Sequence, residues 1–130
     1  MKIKNKSDLI SHGNIIGRKL VIDIIEHALE AMDPRDSVKR IVKIEDGETL
    51  KVDQLKYPLS KIGNIYVLGA GKGSLFIAQA LEKILEDRVK DGIIVEKRGQ
   101  GRKLERIKVL EAGHPIPDKD GYKAAVSILN

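Results

Sequence analysis

Ile65-Tyr66-Val67-Leu68-Gly69-Ala70-Gly71-Lys72-Gly73-Ser74 is the stretch whose reading decides the fold. Its four consecutive apolar residues predict a strand buried on both faces, as in a sheet with helices on each side. Glycines then allow a tight turn, and a helical period follows through Leu75, Ala78, Leu81, Ile84 and Leu85. Gly92-Ile93-Ile94-Val95 and Ile107-Lys108-Val109-Leu110 predict two more strands. Strand, helix, strand, strand with short links describes an α/β layered unit on a largely parallel sheet. Asp118 to Asn130 starts another helix, with Ala124, Ala125, Ile128 and Leu129, and shows no stop signal. The chain is therefore expected to be truncated, and Ile128 and Leu129 to be exposed and to favour self-association.

Upstream of the glycine turn the rhythm is different. Between Ile15 and Met32 the apolar residues Leu20, Val21, Ile24, Ile25, Ala28, Leu29 and Met32 recur at three and four. This predicts an amphipathic helix with Lys19, Asp23, Glu26 and Glu30 towards water. Asp33-Pro34 ends it, and Pro34 opens a second helix through Ile41. Val42–Glu45 and Glu48–Val52 flank Asp46-Gly47 as a hairpin. Asp53 to Ile62 reads as a connector, and Met1 to Asn14 has no clear period. The expected organisation is a single domain, residues 1–130: a helical lead-in with a hairpin over 1–62, and a sheet core over 63–130.

With 130 residues, 42% hydrophobic and 33% charged, the chain can bury one compact core and is neither disordered nor membrane-spanning in composition. No apolar run approaches the roughly 20 residues of a membrane helix, and no apolar block follows the charged start. Cysteine is absent, which excludes disulfides and thiolate chemistry and fits a cytoplasmic setting. The net charge of +5 is scattered among acids, with only 3% aromatic residues. A nucleic-acid surface would show a basic stripe with aromatics interleaved, so no nucleic-acid partner is expected.

Three loops follow the three predicted strands, at the edge where ligands bind in open α/β sheets. In the first, Gly69, Gly71, Gly73 and Ser74 stand where a strand hands over to a helix. The free N–H groups of a helix start favour an anion such as phosphate, and Lys72 adds a full charge there. A Walker A loop is excluded by Tyr66 and Gly73, and the dinucleotide fingerprint is weakened by Ser74 and by the loose match of its acid to Glu96. The structural alternative is that the glycines only let helix and strand pack closely. Lys72 has no packing reason to be in such a turn.

The second loop, Lys97-Arg98-Gly99-Gln100-Gly101-Arg102-Lys103, either neutralises a bound anion or is simply solvated. The third, Glu111-Ala112-Gly113-His114-Pro115-Ile116-Pro117-Asp118, is stiffened by two prolines. His114 either braces that loop or contacts substrate, and Asp118 suits the cap of the following helix. His27 falls on a polar helix face, and His12 belongs to no constellation. No metal-ligand spacing occurs, so no metal-binding residue is assigned.

Val67 to Lys72, Gly92 to Gly99, and Glu111 to Asp118 with Gly121 resemble the amino-terminal region of the type II glycerate kinases, also named hydroxypyruvate reductases. The most specific element is Ala112 to Asp118 with Gly121. The resemblance implies a Rossmann-like three-layer domain and transfer of phosphate from ATP, with Mg2+, to D-glycerate, giving 2-phosphoglycerate. It places Lys72 at the family's active-site lysine. Lys97 and Gly99 match a second motif, in which Gln100 replaces the usual histidine. The family's glycine- and serine-rich loop and carboxyl-terminal domain do not follow, so the chain alone is expected to be inactive. A sugar-phosphate isomerase-type module is the alternative, but its Ser/Thr-rich loop is missing after the second strand. A non-catalytic association domain is a further one.

Overall fold

The computed structural model of the protein describes residues 3–130. A single helical turn, α1 (Lys6–Leu9), lies against α2 (Ile15–Ala31). Lys6 Nζ donates to Asp23 and Glu26 at 2.9 and 2.7 Å, and Arg18 donates to the Leu9 carbonyl at 3.0 Å. Asn14 caps α2 by accepting the Gly17 N–H. α3 (Pro34–Ile41) opens on its proline, with the Asp33 side chain accepting the Arg35 N–H.

The expected hairpin forms as β1 (Val42–Glu45) and β2 (Thr49–Val52), and both Asp46 and Gly47 take positive φ in its turn. The expected connector instead contains a third antiparallel strand, β3 (Leu55–Pro58), followed by a single 3-10 turn. Asp53 turns the chain with φ 54°. Pro58 pairs with Thr49 on an edge strand, where a missing N–H breaks no inner ladder.

The main sheet runs in the order β4 (Ile65–Ala70), β5 (Val89–Lys97), β6 (Ile107–Ala112), all parallel. α4 (Ser74–Leu85) makes the crossover from β4 to β5. Its Leu75, Ala78 and Leu85 pack with Val67, Val89, Ile94 and Ile107 into one core. Burying a side chain such as Ile94 or Val89 contributes about 1.5–3 kcal/mol. Ile44 and Leu50 of the small sheet join this core, while Val38 and Val42 close over Ala80. α5 (Lys119–Leu129) packs on β6 and β5, with Gly121 against Ala112 on the opposite face. Two helical layers around the parallel sheet give the three-layer α/β arrangement.

Two faces that the apolar pattern assigned to the interior are uncovered. Val67 is buried, but Tyr66 and Leu68, on the α5 side of β4, are each 57% exposed. The four-residue apolar run marks a strand correctly and overstates its cover. In α2 only Ile22 is buried, while Ile16, Leu20 and Ile24, with Met32 just beyond the helix, face outward. Periodicity reports that a helix has an apolar face; what covers the face is a separate matter. Among the described residues, no helix is long and apolar enough to cross a membrane.

Candidate functional site

Ala70 stands level with Val95, and Lys97 with Ala112, so the three loops after β4, β5 and β6 emerge at one edge of the sheet. In the first loop Gly71 and Gly73 have φ of 101° and 87°, a region that residues with a Cβ rarely enter. Gly71 N–H donates to the Val95 carbonyl at 3.0 Å, and Ser74 N–H to the Gly71 carbonyl at 3.1 Å. Ser74 Oγ donates to the Val95 carbonyl at 3.2 Å. The Lys72 and Gly73 N–H groups have no acceptor among the described residues, and the Lys72 side chain is exposed. A Cβ on Gly69 would lie 3.4 Å from Ile94 Cγ2, at the edge of ordinary van der Waals contact.

Glu96 is the residue that the sequence pattern did not single out for this place. It is only 4% exposed, on the same face of β5 as Gly92 and Ile94. One carboxylate oxygen accepts the Leu75 N–H at 3.2 Å and lies 3.4 Å from Ser74 Oγ; the other accepts the Lys97 N–H at 3.0 Å. An acid in phase with the buried positions of a strand was the available signal, because a buried carboxylate needs donors.

In the second loop Lys97 is exposed, but Arg98 is engaged. Its backbone N–H donates to the Ala112 carbonyl, and its Nη2 reaches Asp118 at 2.6 Å and Asp120 at 2.8 Å. Glu111 Oε1 accepts the N–H groups of Gly101 and Gly99 at 2.7 and 3.1 Å. These donors hold the Glu111 carboxyl below its ordinary range. A Cβ on Gly101 would lie 2.7 Å from that oxygen. The basic turn is therefore folded onto the third loop, with Arg98 as a brace.

The third loop is equally tight. A Cβ on Gly113 would meet the Ile116 carbonyl at 2.7 Å and Asp118 Oδ2 at 2.8 Å. Asp118 caps α5 by accepting the Gly121 N–H at 2.9 Å. Bonds from Gly121, from Gly113 and from Arg98 hold its carboxyl down to about 2. The His114–Pro115 peptide is cis, and the His114 ring is exposed with no hydrogen bond among the described residues. Lys72, Lys97 and His114 thus share one open edge. The grooves of about 710 Å³ beside Arg102–Val109 and about 460 Å³ beside α2 are lined by other residues.

A divalent cation finds no ready donor set here. Among the described residues no three His, Asp or Glu side chains gather as a cation site. Glu96, Glu111 and Asp118 are already occupied by internal donors.

Comparisons with known proteins show the family and the fold. The model of a family described as a domain of unknown function (DUF4147) matches residues 20–130. A Pyrococcus horikoshii protein named glycerate 2-kinase is 40% identical over 116 residues, 87% of this chain and 25% of the relative. A crystal structure of a Pyrococcus horikoshii protein superposes with a TM-score of 0.69 at 40% identity, over 87% of this chain and 26% of that one. The crystal structure of glycerate kinase from Thermotoga maritima gives 0.64 at 26% identity, over 85% of this chain and 23% of that one. The chain spans about a quarter of the length of the curated relatives it matches.

Proposed function

We propose that this chain, which belongs to the DUF4147 family, forms the amino-terminal α/β part of a glycerate 2-kinase. The proposed reaction moves the terminal phosphoryl group of ATP to the 2-hydroxyl of D-glycerate, giving ADP and 2-phosphoglycerate. The observation that carries this reading is Lys72, an exposed cation at a left-handed glycine turn on the carboxyl edge of a parallel sheet. Relatives named glycerate kinase, matched along nearly the whole chain, support the substrate class.

Phosphoryl transfer asks a protein mainly for positioning and for charge placed against the moving group. Lys72 supplies a positive charge that offsets charge on the phosphoryl oxygens. Gly69, Gly71 and Gly73 bring the backbone close to the phosphates, with Ser74 fixing the end of the turn. Lys97 and His114 contact phosphate or substrate from the neighbouring loops. Arg98 and Asp118 hold those loops against each other. Magnesium would accompany ATP in the full-length enzyme, and the described residues are assigned no role in holding it. We place the protein in the cytoplasm as one α/β domain, residues 1–130, which is inactive by itself and self-associates through its C-terminal helix, where Leu129 is 85% exposed but Ile128, expected to be exposed, is half-buried.

The test is a graft. These residues replace the matching quarter of the Pyrococcus horikoshii glycerate 2-kinase, and product is followed by a coupled 2-phosphoglycerate assay. Activity in the graft and none in the isolated chain is the expected pair. Turnover by the isolated chain would contradict its proposed inactivity, and a folded but inert graft would count against the kinase reading.

A further inference from the structure

The start of α4 already has an anion. We infer that Glu96 is a specificity-determining residue that occupies the amino-terminal end of α4 with its own carboxylate and steers phosphate to the preceding turn, onto Lys72 and Gly73. The inference rests on the reading of this turn as a phosphate holder and says which of its groups do the holding.

The first N–H groups of a helix, with its dipole, amount to roughly half a positive charge. At α4 those groups are partly spent. Ser74 N–H bonds back to the Gly71 carbonyl, and Leu75 N–H donates to Glu96. Glu96 is 4% exposed, so water screens its charge poorly, and a carboxylate there opposes a second anion at the same helix end. Ser74 Oγ, the hydroxyl nearest the turn, points to the Val95 carbonyl and to Glu96 as well. What remains without an acceptor among the described residues is the successive N–H pair of Lys72 and Gly73 in the turn, the single N–H of Phe76 within the helix, and the exposed Lys72 ammonium. Successive N–H groups in a turn that includes a left-handed glycine form a concavity suited to an anion. Glu96 also accepts the Lys97 N–H, so one buried carboxylate ties the first loop to the second. Its role is to position and to exclude; it touches no reacting atom.

The 130-residue chain is titrated with ATP, and separately with inorganic phosphate, at constant ionic strength, while backbone amide resonances are followed. In the unsubstituted protein the Lys72 and Gly73 amides are expected to shift and Leu75 to stay in place. Glu96→Gln keeps an acceptor for Leu75 but removes the charge, so it should let Leu75 respond weakly, whereas Glu96→Ala should add a full shift at Leu75. A Leu75 amide that moves as far as Lys72 in the unsubstituted protein overturns the inference, and this arm stands even if E96A does not fold. A folded E96A with a silent Leu75 overturns it too. Silence at Lys72 and Gly73 in the unsubstituted protein, with a Leu75 response in E96A, supports Glu96 as the excluding anion while removing the phosphate role of Lys72.

Discussion

Arg98 Nη2 lies 2.6 Å from Asp118 Oδ2, so the turn after β5 is pinned to the first turn of α5. The same carboxylate caps that helix through the Gly121 N–H, and one residue thereby sets both the helix entry and the loop before it.

Asp118→Ala removes the cap and the Arg98 partner together. A melting temperature lower by about 3 to 6 °C is expected in thermal unfolding followed by circular dichroism. Asp118→Asn keeps a capping oxygen and should lose less. The folded carboxyl titrates at about 2, below its ordinary value, so its contribution is complete above about pH 4 and is lost as pH falls towards 2. Asp118→Asn should therefore flatten the acid limb of a stability-versus-pH curve. An unchanged acid limb would show that Asp118 does not carry it.

Gly92 is buried in the middle strand, where a Cβ would lie 2.7 Å from the Val67 carbonyl oxygen and 3.1 Å from Ile107 Cγ1. Backbone on one side and core on the other leave no room to give. Gly92→Ala is expected to cost about 1 to 3 kcal/mol in urea unfolding with little change in slope. Wild-type stability in this variant would mean that β4 and β5 lie farther apart than described.

Ile94 and Ile24 carry the same side chain in opposite surroundings, at 1% and 60% exposure. Ile94→Ala is expected to lose about 2 to 5 kcal/mol. Ile24→Ser is expected to stay within about 0.5 kcal/mol of the parent and to improve solubility. A large loss at Ile24 in a monomer, measured by the same denaturation, would place a cover over α2.

The legibility of the chain follows from the reach of each signal. The run Ile65 to Leu68, the period from Leu75 to Leu85 and the turn at Asp46-Gly47 are local, and the helices and strands they predict are present. β3 was hidden because Leu55-Lys56-Tyr57-Pro58 is only four residues long, too short for its alternation to stand out, and its proline reads as a breaker. The ends of β5 were set too short because Lys90, Asp91, Glu96 and Lys97 are charged, although pairing with β4 and β6 carries the strand through them. The Asp118 cap was legible from its spacing to the helix. The Glu96 and Glu111 bonds were not, because each joins backbone donors to an acid from another loop or strand. The same distance in sequence hid the conversion of Arg98 from a free cation into a brace.

Replacing Lys72 in the grafted enzyme removes the charge proposed to face the transferring phosphoryl group. Glycerate phosphorylation is measured with Lys72 and with Lys72→Ala, each shown to be folded by circular dichroism. A fall in kcat of about 100-fold or more is expected, because a charge set against the transferring group is lost. A folded Lys72→Ala graft that forms 2-phosphoglycerate at the unsubstituted rate would contradict the role proposed for Lys72.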